Sequence, residues 1–188
     1  MDELAREGLV ERHRGRGTHV THEPTTAPIH APMVGLLQEI ESIGHSSTAI
    51  TLQCRMMLPP RKVRRLLGLD DDKKILRLRR VRQHNNIRFG YYSSWTRNVD
   101  LPEDSGVFEH IPRMSYFRGK GLKVSFIKQS LTACAANAAA AKALGVERGT
   151  ALLSLTRLSY KHRHSQDYPV DYLRVLYHPE RFEYRIDL

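Results

Sequence analysis

Cysteine is scarce in this sequence. Only Cys54 and Cys134 occur in 188 residues, without the paired spacing of a metal site or a disulfide framework. Disulfide-stapled and zinc-ribbon classes are therefore excluded, and a reducing, cytoplasmic protein with no metal and no cofactor is expected. Long apolar runs are missing as well, since none approaches the roughly 20 residues that a membrane helix needs. The nearest candidate, Leu131 to Val146, is Ala-rich, is broken by Asn137 and Lys142, and reads as a packed helix. Asp2, Glu3, Arg6 and Glu7 come too early for the apolar stretch of a signal peptide, so neither a leader nor a membrane partner is expected. No Gly-rich phosphate loop and no nucleophile elbow is found, and an enzyme is not expected. Acidic residues are outnumbered, 20 Asp and Glu against 30 Lys and Arg. The resulting formal net charge of +10 suits nucleic acid, a membrane surface or anionic ligands as partners, and equally a basic protein with no such partner.

What is there begins with a compact pattern. Asp2 to Glu7 read as the end of a helix, stopped by Gly8. Leu9 to Arg12 and Thr18 to Thr21 read as two short strands around the turn Arg14-Gly15-Arg16-Gly17. Two arginines between glycines at a hairpin tip can reach phosphates or a minor groove, and they equally fit an ordinary basic turn. The run Glu7-Gly8-Leu9-Val10-Glu11-Arg12, followed by Gly15-Arg16-Gly17-Thr18-His19-Val20, resembles the end of the winged helix-turn-helix domain of GntR-type regulators. The resemblance implies that residues 1–21 are the closing piece of a DNA-binding domain, with Arg14, Arg16, Gly17 and Thr18 on its wing. Met1 then falls inside the recognition helix, so a longer protein is expected to carry the operator-binding function. Residues 22–32, with Pro24, Pro28 and Pro32 and no hydrophobic periodicity, read as a linker.

The remainder, residues 33–188, contains an internal duplication. A shift of 77 positions lays Leu67-Gly68-Leu69-Asp70 over Leu144-Gly145-Val146-Glu147, Ile75-Leu76-Arg77-Leu78 over Leu152-Leu153-Ser154-Leu155, and Arg80 over Arg157. Each copy reads as strand, helix, strand, strand. The first comprises Thr48 to Met57, Pro60 to Leu67, Ile75 to Arg82 and Phe89 to Trp95. The second comprises Lys123 to Thr132, Asn137 to Leu144, Leu152 to Tyr160 and Val170 to Tyr177. Pro60 and Asn137 suit helix starts, and Gly68 and Gly145 suit helix ends. The expected class is α+β, a largely antiparallel sheet with helices on one side.

Strand alternation then singles out polar groups in core register. In the strand from Ile75, the face of Leu76 and Leu78 continues into Arg80 and Arg82. In its duplicate, Leu153 and Leu155 continue into Arg157, and the last strand aligns Asp171, Leu173, Val175 and Tyr177. Such arginines must be paired or face a cleft. Two arrangements fit: an internal network in which Arg80 or Arg157 pairs with Asp171, or a pocket for a small, polar, anionic molecule. His162 and His164 have alternating metal-ligand spacing but no third ligand nearby, and read as a solvated hairpin loop.

Three segments carry a second resemblance: Lys73 to Arg82, Leu144 to Thr150, and Tyr168 to Tyr177. In that order, residues 33–188 resemble the UTRA domain, the effector-binding module of HutC-like GntR regulators. This implies a chorismate-lyase-like fold, a homodimer, a small-molecule effector that is an anionic metabolite, and control of operator DNA by that effector. Carried over residue by residue, the Arg-x-Arg that grips the effector falls on Arg80 and Arg82, the acid and aromatic of the last strand on Asp171 and Tyr177, and a connecting aromatic on Tyr116. Tyr92 stands where many members carry an acid, which implies a less polar or aromatic-bearing effector. A lyase on the same fold is the alternative activity.

Overall fold

The computed structural model describes residues 10–13, 17–20, 29–30 and 47–183. The expected N-terminal hairpin is present, one residue out at each strand. Strand β1 (Val10–His13) pairs antiparallel with β2 (Gly17–Val20), from Val10 against Val20 to His13 against Gly17. Arg14, Arg16, the helix end before Gly8 and most of the segment read as a linker lie outside the described residues. Within that segment, β3 (Ile29–His30) forms a short parallel pair with the last strand, β10 (Phe182–Glu183).

The main body follows the duplication closely. The first copy runs β4 (Thr48–Met57), α1 (Arg61–Leu67), β5 (Ile75–His84), β6 (Ile87–Thr96). Two short helices follow, α2 (Val107–His110) and α3 (Arg113–Gly119). The second copy then runs β7 (Phe126–Ala135), α4 (Ala138–Leu144), β8 (Ala151–Arg163), β9 (Gln166–Tyr177). The Ala-rich stretch from Leu131 is thus the end of β7 plus the seven-residue α4, and no helix among the described residues is long and apolar enough to cross a membrane.

Helices α1 and α4 begin and end 77 residues apart, and their ends are alike for a physical reason. Gly68 and Gly145 both terminate them in the left-handed conformation, at φ 58° and 68°, where a Cβ would be penalised. At the start of α4 the Asn137 carboxamide accepts the Ala140 N–H at 2.9 Å, satisfying one of the exposed helix donors. The hairpin turns also match. Asn85 and Asn86 (φ 47° and 62°) join β5 to β6, as His164 and Ser165 (φ 47° and 59°) join β8 to β9. Two consecutive positive φ values give a turn whose twist suits a two-residue hairpin.

All six main strands pair antiparallel, in the order β4-β5-β6-β9-β8-β7. The copies therefore meet at β6 and β9, with the edges left to β4 and β7. Helices cover both faces, not one as expected. Val63 and Leu67 of α1 pack on Ile75, Trp95 and Tyr172, and α4 packs on Val81, Tyr91, Leu152 and Leu176. On the opposite face Phe108 of α2 and Met114 and Phe117 of α3 pack on Leu76 and Leu78. The reason lies in β5, where Ile75 and Val81 alternate with Leu76 and Leu78 so that both faces are apolar and both must leave water.

The Asn137 cap offers a direct check on this local reading. Asn137→Ala is expected to cost about 1 kcal/mol of stability, and Asn137→Ser to recover most of it, as read from urea denaturation midpoints.

Candidate functional site

Strand pairing lays side chains on the α2–α3 face of the sheet in rows across β5, β6, β9 and β8. One row is Arg80, Tyr92, Val175, Leu155 and the next is Arg82, Gly90, Tyr177, Leu153. On the other side of the first lie Leu78, Ser94, Leu173, Arg157 and then Leu76, Thr96, Asp171, Ser159. Arg80 and Arg157 occupy the same position of the duplicated unit. Because the copies join antiparallel, the two arginines approach one central cavity from its two halves. The cavity, of about 50 Å³, is walled by Arg80, Arg82, Tyr92, Leu155, Arg157, Leu173, Val175 and Tyr177 of the sheet, and by Arg113 and Met114 of α3. That volume is several times the roughly 10–15 Å³ that one water requires.

Arg80 is 4% exposed, and its Nη1 donates to the Phe108 carbonyl at 3.0 Å. Burial first, and then the neighbouring cations Arg82 and Arg113, push it down to about 9. The guanidinium remains charged at neutral pH, in a positive field that favours an incoming anion. Arg82 donates to the Ser47 hydroxyl at 2.7 Å and its Cζ lies 5.9 Å from the centre of the Tyr92 ring. Arg157 donates from Nε to Gln129 Oε1 at 2.8 Å. The Tyr92 hydroxyl donates to that of Tyr177 at 3.1 Å, with the two rings edge to face. Burial pushes the Tyr92 phenol up, so it stays protonated. Gly90, between Arg82 and Tyr177, leaves room for both rings: a Cβ there would stand 2.8 Å from Tyr92 Cε2.

Of the residues expected at the site, Arg80, Arg82, Tyr92 and Tyr177 line this cavity together, and Asp171 and Tyr116 do not. Asp171 is fully buried and accepts both Arg113 guanidinium nitrogens, one at 3.0 Å, together with the Thr96 hydroxyl at 2.7 Å. Its partner is therefore Arg113, and neither Arg80 nor Arg157. Tyr116 packs edge to face on Phe108 and Phe117, and lines a separate cleft with Asn98, His110 and Lys120. Tyr116, three residues after Arg113 on α3, has its ring held by Phe108 and Phe117 at the edge of that neighbouring cleft. The sequence reading missed Arg113 and Met114 because it placed no helix after β6. The available signal was Pro112, a favoured residue at a helix start, followed by Met114 and Phe117 one turn apart. Of the residues expected on a wing, Gly17 and Thr18 lie in β2, and Arg14 and Arg16 lie outside the described residues.

Removing Asp171's charge should expose how much the buried pair contributes. Asp171→Asn leaves the buried Arg113 guanidinium without its counter-charge, beside the Thr96 hydroxyl, and is expected to cost about 3–5 kcal/mol, several times the Asn137→Ala loss. A urea midpoint close to the wild-type value would show that the pair does not hold α3 to the sheet.

Comparison with known proteins places this geometry. The family model of the UTRA domain matches residues 42–183. The chain is 25% identical over 166 residues to the HTH-type transcriptional repressor NagR of Bacillus subtilis, covering 85% of this chain and 66% of that protein. It thus spans just under two thirds of that relative's length. Among solved structures it is similar to PhnF from Mycobacterium smegmatis, at 23% identity and TM-score 0.69, over all of this chain and 81% of that one. It is also similar to the ligand-binding domain of a protein assigned to the GntR-family transcriptional regulators of Bordetella bronchiseptica. That match has 26% identity and TM-score 0.66, and covers 76% of this chain and 90% of that one. The duplicated antiparallel sheet, the order of its elements and the match over residues 42–183 together show that this chain belongs to the UTRA domain family.

Proposed function

We propose that this chain is the effector-sensing part of a transcription regulator, and that the cavity between the sheet and α3 holds a small anionic metabolite. The observation that carries this reading is Arg80: a buried guanidinium on a cavity wall, bonded to a backbone carbonyl and pressed by two further cations. An anion in the cavity relieves that repulsion and accepts charge-assisted hydrogen bonds. The proposed contacts are Arg80, Arg82, Tyr92 and Tyr177, joined by Arg113 and Arg157. Asp171 acts as the positioning residue for Arg113. The same ion pair speaks against a lyase, because it engages the Asp171 carboxylate, which would otherwise be available as a general base.

In the longer protein, effector binding would be coupled to affinity for operator DNA, a free-energy linkage between two sites in a homodimer. The β1–β2 hairpin supports a wing in that role, with Arg14, Arg16, Gly17 and Thr18 as its DNA contacts. Protein of this kind works in the cytoplasm, where its operator is.

Ligand binding to the folded state alone raises stability by about 2.7 kcal/mol at a hundredfold excess over the dissociation constant. A panel of small anions, scanned by thermal unfolding at constant ionic strength, should contain members that stabilise the wild type and leave Arg80→Met unaffected. A panel that shifts both proteins equally would remove Arg80 from the site. Gly90→Ala should weaken the same ligands about tenfold or more, because its Cβ drives the Tyr92 ring towards the space they occupy.

A further inference from the structure

The β8–β9 hairpin carries a second group of cations, away from the cavity. Under the 77-residue shift the last residue of β5, His84, lies over Lys161, and β8 runs on through His162 and Arg163, 13 residues against 10. The second copy thus has the longer hairpin. Its extension forms one wall of a cleft of about 270 Å³, lined by Arg97, Asn98, Lys161, Arg163, His164 and Tyr168 and backed by the buried Val170. The cleft shares no lining residue with the cavity between the sheet and α3. Cross-strand register sorts the hairpin's charges. Lys161 pairs with Tyr168 and Arg163 with Gln166, and alternation sets these four on one side. His162 and Asp167 pair on the other, where the carboxylate accepts from His162 Nδ1 at 2.8 Å. Asp167, the one acid between Lys161 and Tyr168, is thereby turned from the cleft. No carboxylate lines the cleft among the described residues.

Arg97 stands on the opposite wall, where the chain leaves β6. Its Nη1 donates to the Leu67 carbonyl at 3.0 Å and its backbone N–H to the Val170 carbonyl at 3.0 Å, which holds the guanidinium half-buried with further N–H groups to offer. At the hairpin tip His164 and Ser165 take φ 47° and 59°, the tight turn that presents the His164 ring. Three cations, an imidazole and a carboxamide from two chain segments therefore converge without a counter-charge. A carboxylate offers such a group of donors two oxygens and one charge; a phosphate monoester offers three oxygens and roughly two negative charges at neutral pH. Tyr168, 41% exposed, supplies an aromatic face for the organic group attached to the phosphate. We propose that this cleft is a second ligand site, for a small phosphate monoester. It stands apart from the effector cavity and does not depend on the reading of that cavity.

Amide NMR of the whole chain, at constant ionic strength, locates binding without altering the protein. Titration with phenyl phosphate should shift Arg97, Asn98 and residues 161–168 along one saturating curve. Shifts at Arg80, Tyr92 and Tyr177 report separately on the effector cavity. Lys161→Ala/Arg163→Ala should weaken binding at the first set about tenfold or more. Lys142→Ala/Arg148→Ala removes equal charge from exposed positions outside the cleft and should leave it unchanged. Benzoate should bind there about tenfold more weakly than phenyl phosphate. The site is overturned if phenyl phosphate leaves the first set unmoved, whether or not it shifts the cavity residues. Equal weakening by the two double variants overturns it as well, since net charge alone would then account for the binding. Benzoate binding as tightly as phenyl phosphate overturns the monoester class, and so does a short DNA duplex that binds these residues more tightly. The sensor reading of the cavity stands or falls on the second set of amides, whichever of these results is found.

Discussion

The ion pair between Arg113 and Asp171 is the contact on which the cavity depends. A buried carboxylate and a buried guanidinium each carry a large desolvation cost, and only their mutual bidentate geometry, with the Thr96 hydroxyl as a third partner, offsets it. The pair reaches from β9 to the first turn of α3 and so ties a short helix of seven residues to the sheet. Met114 and Phe117 follow on that helix, one towards the cavity and both into the apolar layer over Leu76 and Leu78. The lid of the cavity is thus held by a polar contact at one end and by packing along the rest.

Duplication explains why arginines gather where they do. A unit of strand, helix, strand and strand, used twice and joined antiparallel through β6 and β9, places equivalent positions on the two sides of the seam. Arg80 and Arg157 are one such pair. Strand alternation sets them on the same face, and the seam sets them at one cavity. The copies diverge in what covers that face. After the first copy comes the α2–α3 segment; after the second, the described chain offers β10, whose Phe182 stacks on Tyr177 and Phe89. The asymmetry covers one face of a symmetric sheet differently over its two halves.

The arginine-rich wall also accounts for part of the basic balance. Four buried guanidiniums belong to one cavity, so the net charge is not simply a solvated surface property. A cluster of like charges under apolar cover is costly to fold, and Arg80 records that cost in its lowered affinity for its proton. Under the proposed reading, an anion bound beside Arg80 would offset that cost through charge-assisted hydrogen bonds.

Local pattern alone determined a good deal here. The period-two alternation in β5 and β8, the 77-residue repeat, the glycine and asparagine helix ends and the inward register of Arg80, Arg82 and Tyr177 are all written in neighbouring residues, because strand and helix geometry fixes which side chains share a face. Tertiary structure alone decided the rest. Asp171 faces the core by its register, but whether it meets Arg80, Arg157 or Arg113 depends on where a helix 58 residues away in the chain comes to rest. Tyr116 is aromatic and near the site in sequence, yet its packing on Phe108 places it at another cleft. Helices on both faces follow from apolar residues on both sides of β5, a pattern visible in the sequence but decisive only once the sheet's order brings Trp95, Tyr172 and Leu176 beside it. Periodicity specifies a face within each element; the choice of partner across elements is made by packing over long chain separations, which no local spacing encodes.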